Sequence, residues 1–425
     1  MNRRANQSDA NYVSPSDVMH GMSLQWVGLL FATFASGAQF SSMPKKDREL
    51  VSQVYVCCSF ECLRLVNYLS NASLEVIQTM LILGNVLSNA MNAGVAWSLL
   101  GLTIRLAQSL GMHRASEITP TSHQDMVRSK TWWAVLWQDS LLSISYDRAS
   151  CASTVDCALP AIVDRSRGGM AFADCMYRIC KVGLDLIRNR VAPQSIEGRL
   201  SRCQDLRDDV QRAQDQATDH CRDLRSCRSI RDQGEYWALY LHASYMKSEL
   251  CRPAISPSTA VFDKDHKLRK QCFEYLKNTV EAFLGLANVT TMYTRTWAVV
   301  HRALSSALLL GLLGEPARNP EVQDLLGKLI EVLIVMGHSE VSAPIARSLS
   351  ALRKLCALET RTPRQGDHPS DDVKVIPDPA FVFDESNMPS NFDESSFLYA
   401  SDFSGDESPY ALMDSIIWGG SRGTF

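Results

Sequence analysis

The stretch Gly94–Ser116, GVAWSLLGLTIRLAQSLGMHRAS, and its continuation Arg128–Pro160, RSKTWWAVLWQDSLLSISYDRASCASTVDCALP, decide how this chain is to be read. In the first, Ala96, Leu99, Leu100, Thr103, Leu106, Ala107 and Leu110 recur at three- and four-residue steps, the period of one buried helix face. Gly111 stops that helix. Ser122 then stands three residues before Asp125, the spacing of a capping box, and Trp133, Leu136, Trp137, Leu141 and Ile144 line one face of the helix that follows.

Outward from this pair, helical periods continue in both directions. Leu24–Phe34 is apolar, but Gln25, Gly28 and Thr33 interrupt it and it is too short to span a bilayer, so a buried helix is expected there. Leu50, Val54, Cys57, Cys58, Leu63, Val66 and Leu69 mark a helix after Pro44, and Ser73 is placed to cap another through Leu74, Ile77, Leu81 and Val86. Beyond Pro160, Met170–Arg190 is amphipathic. Residues 196–228 alternate Arg with Asp around Leu200, Cys203, Leu206, Val210, Ala213 and Ala217, a charged, solvated helix with a short coiled-coil contact as its alternative. Asp232 and Glu235 have capping-box spacing ahead of the aromatic run Tyr236, Trp237 and Tyr240, which suits a core stripe or a pocket wall. Helices resume through 273–284, 297–313, 322–335 and 343–358. No fixed-period repeat appears, so the fold expected is all-α.

Composition narrows the function. The 425 residues carry a net charge of -3, which gives the body no electrostatic reason to bind nucleic acid. Thirteen cysteines are scattered without the regular spacing of a disulfide framework, which fits a reducing compartment. No Cys-x-x-Cys pair occurs, and Cys57, Cys58 and Cys62, or Cys151/Cys157, Cys175/Cys180 and Cys221/Cys227, do not supply the closely spaced thiolate pairs of a two-zinc cluster.

The chain lacks a phosphate loop, a Gly-x-Gly-x-x-Gly and a His-Glu-x-x-His. Asp208-Asp209 has no further carboxylate after it of the kind a magnesium-binding helix needs, and the nine histidines are dispersed. The expectation is therefore of no enzyme and of no catalytic, cofactor or metal residues. His113 and Arg114 suit a helix C-terminus, where cations meet unsatisfied carbonyls, or a small-molecule contact. Arg105, Arg128, Asp139, Asp147 and Arg148 are expected to pair within the body and fix helix register.

The ordered series Ala96-Trp97, Gly101, Arg105, Ala107, Leu110-Gly111, His113-Arg114, Arg128, Trp132-Trp133, Asp139, Asp147-Arg148 and Leu159-Pro160 resembles the middle homology, or regulatory, domain of fungal binuclear zinc-cluster transcription factors. The resemblance runs from about Gly21 through His301–Glu315. It implies an all-α, multi-helix regulatory domain over 18–360 and action in the nucleus on RNA polymerase II transcription, including pathway genes such as secondary-metabolite clusters. The family commonly has Asp-Arg-Pro or Gly-Arg-Pro near Tyr146–Ser150; here Arg148 is kept and Ala149 replaces Pro, implying a less rigid turn. The family's zinc cluster has no counterpart in these residues. The chain as given is thus expected not to contact DNA directly, but to work through a DNA-binding partner or a homodimer, with a small-molecule effector as a further partner of such a scaffold. The alternative is an all-α ligand-sensing or scaffolding protein without activation function.

The polar stretch 1–17 reads as a disordered lead. After Arg361, twelve acidic residues face only Arg364, Lys374 and Arg422, and Phe381, Phe383, Phe392, Phe397, Phe403 and Trp418 are interleaved among them. Acidic-aromatic alternation is the composition of a disordered activation segment, one that would engage transcription machinery or coactivators.

Overall fold

Ser122 does what its spacing predicts: its Oγ accepts from the Asp125 amide at 3.1 Å while the Asp125 carboxylate accepts from the Ser122 amide at 3.2 Å, and the helix His123–Ser145 starts there. In the computed structural model this is the fifth helix. Residues 23–114, 122–146, 148–152, 155, 159, 168–192, 195–255, 267–340, 343–358 and 413 are described. The described residues form fourteen α-helices and no strand, and they divide into two compact units, 1–192 and 193–425. The lead 1–17 lies outside the described residues, as does the tail 361–425 apart from Met413. That side chain is buried, 6% exposed.

The first unit contains α1 (Leu24–Gln39), α2 (Lys45–Leu65), α3 (Leu74–Asn89), α4 (Ala93–Ser109), α5 (His123–Ser145) and α6 (Phe172–Val191). The helix expected over Leu24–Phe34 forms as α1 and is buried along one face. Its inward face is made of Gly28, Ala32, Ala35 and Ala38, whereas Trp26 and Phe34 remain 40% and 44% exposed. The small face lets α2 approach closely: a Cβ on Gly28 would lie 3.2 Å from the Cβ of Cys62. At that range Ser59 Oγ donates to the Gly28 carbonyl at 2.8 Å and Ser52 Oγ to the Ala35 carbonyl at 2.9 Å. Ser73 caps α3 by accepting from the Val76 amide, as expected. The Ala96–Leu106 face of α4 and the Trp133–Ile144 face of α5 are buried, and α4 packs on both α3 and α5. Gly111, at φ +70°, supplies the left-handed turn that ends the α4 segment.

The second unit contains α7 (Ile196–Asp215), α8 (Asp219–Arg222), α9 (Ile230–Cys251), α10 (Lys267–Val289), α11 (Trp297–Leu312), α12 (Glu315–Arg318), α13 (Pro320–Glu340) and α14 (Ala343–Leu358). The long 196–228 helix expected from the charge pattern ends at Asp215. Its Cys203, Leu206, Val210 and Ala213 face is buried in a helix that packs on α9 of the same chain, so that face is occupied within the unit. The α11 helix is buried from Val299 to Leu312, His301 and Arg302 included, and packs against α9, α10 and α14. The two central helices, α9 and α10, meet at unusually short range because Gly285 sits under the Trp237 indole; a Cβ there would fall 2.3 Å from Trp237 Cδ2. Trp237 of the aromatic run therefore packs on α10.

Candidate functional site

The residues of the deciding stretch converge at the α4–α5 end of the first unit. Asp139, on α5, is 2% exposed. Ser143 Oγ, one turn on, donates to its Oδ1 at 3.3 Å; the Ser150 hydroxyl donates to its Oδ2, and the Ala152 amide reaches the same oxygen at 3.4 Å. Burial pushes the Asp139 carboxyl above the ordinary carboxylate range, against the pull of these donors. Arg148 lays its guanidinium 4.8 Å above the Trp97 ring of α4 and 5.1 Å from the Tyr146 ring. The turn that lacks proline at Ala149 is fixed by these side chains.

This is a different wiring from the expected one. Among the described residues no ion pair joins Arg105, Arg128, Asp139 and Arg148, and Asp147 lies outside them. Arg128 instead reaches back from α5 and donates to the Leu110 carbonyl at 2.7 Å, taking the cation's place at the end of α4 that His113 and Arg114 were expected to fill. His113 meets the Trp132 ring edge-on at 6.3 Å, in the 3-10 turn Met112–Arg114. The contacts tie α4, α5 and the 148–152 turn into one arrangement.

The second unit also buries polar side chains in its core. Arg302, 1% exposed, lies 2.5 Å from His242 Nδ1 and stacks 4.7 Å over the Tyr245 ring. Burial and this cation hold His242 well below the usual imidazole range and His301 down to about 3. Lys247, pushed down to about 8 by burial, donates to Gln211 and Gln214 at 2.5 and 2.6 Å. A groove of about 490 Å³ runs past Phe273, Tyr275, Lys277, Glu315 and Val322, but its Lys277 is already paired with Glu321 at 3.0 Å.

One juxtaposition escaped the sequence reading. The α9 helix begins three residues earlier than the Asp232–Glu235 spacing suggests: Ser229 is the cap, and Asp232 is its box partner, with Ser229 Oγ accepting from the Asp232 amide at 3.1 Å. Glu235 is thereby freed from capping and turns toward α8. Its Oε2 lies 3.0 Å from His220 Nε2, and a His220 ring nitrogen, Cys221 Sγ and a Glu235 oxygen all fall within 4.8 Å of one another. His220 and Glu235 are fifteen residues apart in sequence, across a helix, a turn and a new helix start, a separation that no local spacing rule would flag.

Residues 25–167 match the family described as fungal specific transcription factor domain. The likeness covers about a third of the chain. The match falls inside the first unit and takes in α1 to α5 with the Asp139 contacts. Over 65 residues the chain is 35% identical to the C6 finger domain transcription factor hasF of Aspergillus fumigatus, covering 15% of this chain and 8% of that one. Over 142 residues it is 28% identical to the Zn(2)-C6 fungal-type transcription factor mpsB of Macrophomina phaseolina, covering 31% and 18%. To the lactose regulatory protein LAC9 of Kluyveromyces lactis it is 29% identical over 144 residues, 32% of this chain and 15% of the relative. The chain thus spans less than a fifth of the length of these relatives. The matched family is one of transcription factors. Among the described residues no helix is long and apolar enough to cross a membrane.

Proposed function

We propose that the protein is a transcription regulator acting in the nucleus on RNA polymerase II genes, with a helical regulatory region over 18–360. The observation that carries this reading is the fungal specific transcription factor domain at 25–167, whose relatives are named as transcription factors or regulators. The control is pathway-specific, in the manner that the name of the lactose regulatory protein describes for that relative, and a secondary-metabolite gene cluster is the kind of target in view. Residues 361–425 engage coactivators or the transcription machinery through aromatic side chains kept solvated by their acidic neighbours. The chain's net charge of -3 supports access to promoters through a DNA-binding partner or a second copy.

The test tethers the full chain to a foreign DNA-binding domain upstream of a reporter, beside a version ending at Thr360. The reading expects activation by the full chain and its loss on truncation. Equal reporter output from both would overturn the role of the tail, and no change with either would overturn activation.

A further inference from the structure

We propose that His220, Cys221 and Glu235 form a binding site for a zinc-class divalent cation. The three donors come from two elements: His220 and Cys221 are adjacent on the short helix α8, and Glu235 lies in the second turn of α9. They are an imidazole nitrogen, a thiol sulfur and a carboxylate oxygen, all within 4.8 Å of one another. A nitrogen–sulfur–oxygen set selects zinc and its neighbours over magnesium and calcium, which take oxygen alone. Bond lengths of 2.0–2.3 Å give a tetrahedron whose edges are about 3.5 Å. His220 and Glu235 already stand 3.0 Å apart, so closure asks mainly for a movement of Cys221 Sγ relative to them.

The surroundings fit the same reading. Glu235 Oε1 accepts from Arg231 Nε at 2.8 Å, which leaves Oε2 for an ion and orients the carboxylate in the way that outer partners orient metal ligands. The cation would take the place of the hydrogen between His220 and Glu235. The Cys221 side chain is buried, while His220 and Glu235 are each about one-fifth exposed, so an ion can enter from solvent and a water can occupy the fourth position. Burial pushes the Cys221 thiol up to about 11; a bound cation displaces that proton, and uptake therefore releases acid. Occupied, the site would staple α8 and the turn after it to the start of α9.

Cobalt(II) is the probe, because thiolate ligation gives it a charge-transfer band that oxygen and nitrogen ligation do not. Purified, chelator-treated full chain titrated with Co²⁺ is expected to develop that band with one equivalent bound, to lose it on addition of Zn²⁺ and to keep it in excess Mg²⁺. Cys221→Ser should abolish the band, and Glu235→Gln should weaken binding by about tenfold or more. The Gln variant keeps an acceptor for Arg231 and the shape of the side chain, so its fold is preserved and circular dichroism confirms it. A double Cys57→Ser, Cys58→Ser variant, altered on α2 of the first unit, should titrate like the parent. Absence of the band in the parent, its survival in Cys221→Ser, or unchanged affinity in Glu235→Gln would each overturn the site.

Discussion

Replacing Asp139 by Ala and by Asn separates the two things this carboxylate does, accepting hydrogen bonds and carrying charge. Alanine removes the acceptor for Ser143 Oγ, Ser150 Oγ and the Ala152 amide; the amide retains Ser150 Oγ at 3.1 Å, so two hydroxyls lose their buried partner. At about 1 kcal/mol for each lost bond, and about 1 kcal/mol for the space left behind, the cost is about 3 kcal/mol. With a urea slope of about 2–3 kcal/mol/M for a unit of this size, the midpoint of the first unit falls by about 1 M. Asparagine keeps an acceptor and the shape while removing a charge that burial opposes, so at neutral pH its cost stays below about 1 kcal/mol. The two variants also differ in acid response. Because the folded state holds the Asp139 proton more tightly than the unfolded chain, this group's contribution is full below its ordinary value of 3.8 and is lost as pH rises through the raised folded value. Acidifying the parent from neutral pH therefore adds stability through Asp139, and Asp139→Asn removes that slope. Urea titrations followed by hydrogen exchange over α5 and 148–152 read both effects. An Ala variant within 0.5 kcal/mol of the parent, or an Asn variant as damaging as Ala, would refute the reasoning.

Acid should act oppositely on the second unit. His301, held down to about 3, contributes stability that is present above the unfolded value of 6.5 and is lost as pH falls between the two, and His301→Gln should flatten that loss in thermal melts. Gly285→Ala should destabilise by about 1–2 kcal/mol, an overpacking cost larger than the roughly 1 kcal/mol of helix propensity gained; adding Trp237→Leu should recover part of it in chemical unfolding. Gel-shift titration of the purified chain with duplex DNA should show only weak, salt-sensitive binding, and tight sequence-specific binding by the chain alone would contradict the charge argument.

The helices were legible where their signals are local. The Ser122 and Ser73 caps, the Gly111 stop and the apolar faces of α4 and α5 all follow from residues within one or two turns of each other. What local periodicity could not supply is partner choice. Arg128 finds a carbonyl eighteen residues upstream, and Asp139 finds hydroxyls and an amide; both look like ion-pair members until the chain is folded. The cap of α9 was displaced because Asp232 suits both the cap and the third helical position, and only the adjoining Ser229 decides between them. That three-residue shift is why the His220–Glu235 approach stayed hidden.

The α1–α2 contact inverts the usual ranking of harm among substitutions. Its two backbones are held at a distance set by Gly28, Ala32 and Ala35 and by the reach of Ser52 and Ser59. A change that conserves apolarity, such as Ala32→Leu, therefore separates the helices and strands both serine hydroxyls. A change that discards it on the outer side, such as Trp26→Gln, leaves the contact alone. Size, and not hydrophobicity, is the quantity this pair of helices constrains.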